Sequence, residues 1–435
     1  MIKLMAILIT GILCSLYMFP FSFTFFPVGN TKIYLAVLGA LMFAFDRISK
    51  NNGPVVSRTM LNVSLAAIAV SMAGVLSLAY NGATDTTYAQ YVILMWVWVG
   101  AAYFVVKCIE RVHGKVTLEI VALYFIGVCV AQCAFALMNE FIPAFKNIVD
   151  AVVEQGTENL NELDRMYGIG ASLDTAGSRF ACALILLGYL MVKRADDSKR
   201  MLAYIVMYLF IVVAGNMVAR TTLAGIAISG CYFLYALWQG KSREVSRVFV
   251  YFGIMLLVAV PFVGYLYMTS PEVSKLIQFA FEYAFNFFEE GSLETGSTND
   301  LLAMWTYVPT ELKTWIIGDG YFMSPYLTNP YYVGSFDVTW GFYMSTDVGY
   351  LRFIYYFGLI GLLTFIWFFV RCTRECMKKF PVDKAVFVML LAMNLILWAK
   401  VSTDVFFIFA LFLMVDPVPE DTEQSIIEEK ESVTA

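Results

Sequence analysis

The feature that most constrains this sequence is a series of apolar runs long enough, or nearly so, to cross a bilayer. They fall at about 4–25, 28–45, 60–79, 88–106, 117–138, 177–192, 201–217, 221–238, 248–269, 348–370, 385–399 and 402–415. A hydrocarbon core about 30 Å thick takes about 20 helical residues. The chain therefore reads as an all-α polytopic transmembrane bundle of about 12 spans, one domain over 1–415. Composition agrees, with 60% of the 435 residues hydrophobic and 14% charged, against about 25% charged in soluble domains. The last two runs are short and parted by Lys400, which suits a re-entrant or tilted pair as well as two spans. Met1–Phe25 carries Lys3 before its apolar run but no small-x-small cleavage site, and so reads as an uncleaved first span.

Orientation follows from the connections. One alternating set holds 46–58, 107–115, 193–200, 240–247 and 371–379, and nearly every Lys and Arg of the short loops falls in it. The other set holds GNTK (29–32), 81–90, and two long segments, 139–176 and 270–347. Basic loops stay on the cytoplasmic side, so both termini are expected in the cytoplasm and the long segments outside. The acidic stretch 416–435 reads as a solvated cytoplasmic tail. No basic stripe suggests nucleic acid, and no cysteine falls in the segments placed outside.

The outer loops are not featureless. FIPAFKNIVDAVVEQ (141–155) is amphipathic and reads as a helix lying on the membrane surface, and 271–290 begins the second loop similarly. That loop then turns rich in Trp, Tyr and Gly over 315–347, which should fold over the outer face of the bundle. Its aromatics Trp315, Tyr321, Tyr331, Tyr332 and Trp340 are candidates for stacking on sugars, weighed against an ordinary interfacial belt. Tyr88 and Tyr91 read as belt residues.

Four cations depart from the positive-inside pattern. Arg179 opens the sixth run, Arg220 sits in the turn between the seventh and eighth, Arg352 lies about one turn into the tenth, and Lys400 marks the final break. A charge at the bilayer centre costs at least about 2.5 kcal/mol and less near its edge. The simpler reading pairs them with Asp174, Asp347, Asp404 or lipid phosphates as snorkelling anchors. Four cations converging at one depth favour an anion site instead, and arginine grips phosphate bidentately. Lys146, Arg165, Lys275 and Lys313 lie within long loops, where a solvated reading wins.

Candidate acids and bases on the same side are Asp174, Glu162, Asp319, Asp337 and Asp347. Asp347, five residues before Arg352, is expected to have its pKa lowered by the helix dipole and the arginine. GDG (318–320) is a turn signal and a weak phosphate motif. The one histidine, His113, falls in a cytoplasmic loop, so no outer-face mechanism uses a His base or His-metal site. No G-x-S-x-G or P-loop pattern occurs. No internal repeat is visible, which weakens a transporter reading.

The stretch STDVGYLRFIYYFGLIGLLTFIWFF (345–369) resembles the pattern that follows the large outer loop in bacterial polysaccharide polymerases, and ARTTLAGIAISG (219–230) resembles the Arg-plus-Gly pattern before it. With the span count and the late loop, the chain is similar to the O-antigen polymerase (Wzy) and O-antigen ligase superfamily, related to membrane glycosyltransferases of the GT-C type. The ligases usually carry His-Asn where this chain has Thr346-Asp347, which argues for a polymerase. The resemblance implies a bacterial inner-membrane enzyme of O-antigen or capsular polysaccharide synthesis. It would transfer an undecaprenyl-pyrophosphate-linked glycan onto a second lipid-linked repeat unit, with no metal, nucleotide sugar or other cofactor. Membrane lipid and lipid-linked glycans would be its partners, and a chain-length regulator protein is an allowed one. Arg179, Arg220 and Arg352, with Lys400, would hold the departing pyrophosphate, and Asp347 would take the acceptor proton. The alternatives are a ligase acting on another hydroxyl, and a flippase for lipid-linked sugars. A flippase should carry charges or broken helices near mid-membrane, whereas the sequence places its charges near the edges.

Overall fold

Lipid offers backbone amides no hydrogen-bond partners, so an apolar run must satisfy them within itself as helix. Each of the twelve runs forms a helix over much of its length. The computed structural model describes residues 2–26, 28–50, 56–155, 160, 165–292, 294–327 and 341–416. Its helices are, in chain order, α1 (Ile2–Met18), α2 (Thr31–Lys50), α3 (Arg58–Asn81), α4 (Tyr91–His113), α5 (Leu118–Phe141) and α6 (Pro143–Val152). They continue with α7 (Leu173–Lys193), α8 (Ser198–Phe210, carried through a π-turn to Val218), α9 (Leu223–Trp238) and α10 (Ser242–Thr269). Four helices follow in the second long segment, α11 (Pro271–Ala280), α12 (Glu282–Glu290), α13 (Gly296–Met304) and α14 (Leu312–Ile316). The last three are α15 (Gly349–Lys379), α16 (Lys384–Leu397) and α17 (Phe406–Met414).

Eight of these, α3, α4, α5, α7, α8, α9, α10 and α15, are long and apolar enough to cross a membrane. The molecule is a helical membrane protein. α7 is buried along almost its whole length and forms the centre of the bundle, while α10 is buried along almost none and leaves its apolar surface for lipid.

α17 stands apart. Its nine residues reach only about 14 Å at about 1.5 Å per residue, roughly half a bilayer core. Every residue from Phe406 to Leu413 is buried within the protein. Lys379, at the end of α15, donates from Nζ to the carbonyls of Leu413 (2.5 Å) and Val415 (3.0 Å), closing the helix C-terminus. The chain reaches α17 through non-helical residues 401–405, steadied where Val405 N–H donates to Asn394 Oδ1 at 3.0 Å. The final two runs are therefore a broken pair.

α15 is interrupted at Phe357 and Gly358, where Gly358 takes φ 66° and ψ −170°. The break frees carbonyls that GDG satisfies. Asp319 N–H donates to Tyr355 O (2.6 Å) and Gly320 N–H to Tyr356 O (3.0 Å), while Ser77 Oγ also donates to Tyr356 O at 2.7 Å. A Cβ on Gly318 would come 2.5 Å from Tyr356 O, so the turn needs glycine for this approach. GDG thus pins the second long loop to α15 and is no phosphate cradle here.

Two further expectations are corrected. The amphipathic stretch 141–155 is helical only to Val152. Val153–Glu154 then pairs antiparallel with Ser22–Phe23, and Phe21, Val149 and Val153 bury one another, so α6 is tied to the α1–α2 connection. Lys313 is not simply solvated, since its Nζ lies 2.6 Å from Asp319 Oδ1 and 2.9 Å from Asn81 Oδ1.

Candidate functional site

The bundle end that carries the long segments gathers the starts of α7 and α15, the turn 220–222 and the connection 398–405. Each brings one of the four cations, and their surroundings differ.

Arg220 and Lys400 are answered by carboxylates. Arg220 Nη1 pairs with Glu282 at the start of α12, its Nη2 donates to Ser297 Oγ at 2.8 Å, and Phe279 lies 4.8 Å away. It clasps the second long loop. Lys400 Nζ sits 2.9 Å from Asp174 Oδ1, which also accepts the Thr221 hydroxyl. Arg179 is 4% exposed and donates to backbone, from Nε to Met18 O and from Nη1 to Thr175 O at 2.7 Å.

Arg352 is different. It is 5% exposed, with its guanidinium carbon 3.7 Å from the Phe322 ring centre and 3.5 Å from that of Phe342. Nη1 donates to Ser402 Oγ at 2.9 Å. Nε and Nη2 are buried with no hydrogen-bond partner among the described residues. An unmet buried donor costs about 1–3 kcal/mol, and more on a charged group, so two on one cation mark a place for an acceptor that the described residues do not supply.

Asp347 stands beside it, half-buried, just before α15. Its carboxylate forms no hydrogen bond among the described residues, and the helix cap is Val348 without a side-chain bond. Burial raises its pKa above the usual aspartate value, partly offset by Arg352 and Lys400 and reinforced by Asp174. The lowered pKa expected from the helix dipole is overturned, because losing water outweighs the arginine. A raised carboxyl with free oxygens is suited to accepting a proton.

The backbone around these carboxylates is strained. The described residues other than glycine with positive φ are Leu173 (47°), Met344 (56°) and Ser345 (52°), flanking Asp174 and Asp347. Such conformations cost about 1–3 kcal/mol each and gather at functional sites.

The candidate sugar platform divides. Trp315 is turned to structure, donating its indole N–H to Pro309 O at 2.8 Å and packing on the core. Tyr321 lies with its ring 5.6 Å from Tyr343. Tyr331, Tyr332, Trp340 and Asp337 lie outside the described residues, as does Glu162. Asp319 is engaged by Lys313 and Thr314. Tyr88 is no belt residue, being 7% exposed amid the rings of Phe322, Phe353 and Tyr356.

Two further residues join the site. Ser402 meets Arg352, and Asp404, weighed only as a simple partner, faces Arg179 from the same connection. The signal that pointed to them was the polar STD opening an apolar run at 402–404. Comparison with protein-family models, curated proteins and solved structures finds no match to the chain.

Proposed function

We propose that this protein polymerises undecaprenyl-pyrophosphate-linked oligosaccharide repeat units, of O-antigen or capsule, at the periplasmic face of a bacterial inner membrane, with both termini in the cytoplasm. The observation that carries the reading is Arg352, buried with two donors unpartnered among the described residues, beside a half-buried Asp347 whose carboxylate has no hydrogen bond among them. In the reaction an acceptor sugar hydroxyl attacks the anomeric carbon of the donor glycan, a new glycosidic bond forms, and the bond to the lipid pyrophosphate breaks. Asp347 takes the hydroxyl proton. Arg352, desolvated and held between two rings, meets the charge that grows on the departing pyrophosphate, where a preorganised donor acts most strongly. Arg220 and Lys400, already paired, hold loop and turn in place around it.

A second reading has one observation in its favour. The broken α16–α17 pair sets irregular backbone and Asp404 inside the bundle, as in transporters, against the expectation that charges keep to the edges. A lipid-linked sugar flippase is therefore the competitor.

One experiment separates them. Arg352→Ala in the native strain should abolish long-chain glycan while single lipid-linked repeats still reach the outer surface. A flippase would instead lose exposed repeats, and an unchanged polymer ladder would refute both roles for Arg352.

A further inference from the structure

Phe322 and Phe342 leave Arg352 approachable from one direction. Two ring centres 3.7 and 3.5 Å from the same guanidinium carbon lie over its opposite faces, since rings sharing one face would overlap. Ser402 takes Nη1, so the Nε–Nη2 edge is what remains. Two N–H groups side by side in one plane match two oxygens of a single phosphate. The rings therefore decide where an anion can meet Arg352, and whatever holds the rings decides how firmly that edge is set.

The backbone beneath the rings is held in two places. Met323 and Phe342 form an antiparallel bridge, beside which Tyr343 N–H donates to Phe322 O at 3.3 Å and Ser324 N–H to Gly341 O at 2.5 Å. The other hold is a carboxylate from the short connection between α3 and α4. Asp85 Oδ2 accepts Phe322 N–H at 2.9 Å and Met323 N–H at 3.1 Å. Its Oδ1 accepts the Thr87 N–H at 3.0 Å and the Thr87 hydroxyl at 2.5 Å. Tyr88, three residues on, sets its ring edge-on to Phe322 with centres 5.3 Å apart. The connection is itself fastened to α15. Tyr356, one turn after Arg352, donates its hydroxyl to Asp85 O at 2.7 Å and accepts Tyr88 N–H at 3.2 Å and Ala89 N–H at 3.3 Å. One short connection thus joins the helix that carries Arg352 to the ring that covers it.

The charge of Asp85 also bears on Arg352, yet its carboxylate makes no ion pair among the described residues. A counter-ion competes with a bound anion, whereas an anchor of the clamp favours one. The two roles differ in sign.

We infer that Asp85 is a positioning residue that, through Phe322, holds the Nε–Nη2 edge of Arg352 open to a phosphate group. The inference rests on the lipid-pyrophosphate reading of Arg352 and carries that site to the connection between α3 and α4.

The test is calorimetric titration of the full chain in nanodiscs with farnesyl diphosphate. The wild type should bind it, and Arg352→Ala should not. Asp85→Ala should weaken binding about tenfold, and Phe322→Ala by a similar factor. In the Phe322→Ala background Asp85→Ala should add nothing, because both act through one contact, whereas a general loss of structure would add. Asp85→Asn removes the charge but keeps an oxygen for the two N–H groups. Its binding should still fall below that of the wild type, and it serves in the same cycle if Asp85→Ala does not fold. Equal or tighter binding in Asp85→Asn, unchanged binding in Asp85→Ala, or full additivity with Phe322→Ala overturns the inference alone, provided that Arg352→Ala has lost the ligand. No binding by the wild type, or binding that Arg352→Ala leaves intact, overturns the reading of Arg352 and this inference with it.

Discussion

At the residue scale, the half-buried Asp347 carries the most direct consequence for pH. Burial makes its carboxyl bind a proton more readily in the folded chain than in the unfolded one. The stability it contributes is therefore greatest below the unfolded pKa and is lost as pH rises through the folded one. Its use as a base runs the other way, needing the ionised form. The acid limb of the polymerisation rate should therefore sit above the ordinary aspartate range, and Asp347→Asn should remove the rate by about a hundredfold or more. The same variant should leave thermal stability at neutral pH unchanged or raised. A retained rate, or a fallen melting point, would show Asp347 to be structural. Arg352 was legible in the sequence because a charge inside apolar sequence is costly wherever it lies. Its two unmet donors were not legible, since they depend on Phe322, Phe342 and Ser402 arriving from distant segments.

At the element scale, the bend in α15 decides where Arg352 sits relative to the rest of its helix. Gly358 holds a backbone conformation that side chains rarely adopt, and a Cβ there would fall 2.2 Å from Ile316 C. Gly358→Ala should cost about 3 kcal/mol or more, read as a lowered thermal midpoint of the purified protein and a loosened second loop by limited proteolysis. An unaltered midpoint would mean that the break is not needed. The twelve apolar runs announced their helices because periodicity and length are local properties. The break did not show, since Phe357-Gly358 lies in unbroken apolar sequence and its partners, Asp319 and Gly320, come from another segment. The half-length of α17 was veiled in the same way, its run being lengthened on paper by the residues that lead into it.

At the scale of the whole molecule, the orientation we propose rests on the distribution of basic residues between the two sets of loops. Alkaline phosphatase fused within 193–200, between α7 and α8, should be inactive, and fused at 291–296, between α12 and α13, active. The reverse pattern would place the site on the cytoplasmic side and remove the polymerase reading. Orientation also bears on how the molecule is made. A helix of nine residues is too short for the translocon to pass into lipid as a span of its own. α17 emerges from the ribosome after the helices that surround it, and it has nowhere to go but the slot they leave open. Its placement is therefore a late assembly step governed by finished neighbours, and the charged connection carrying Ser402 and Asp404 is drawn into the membrane only as that slot closes.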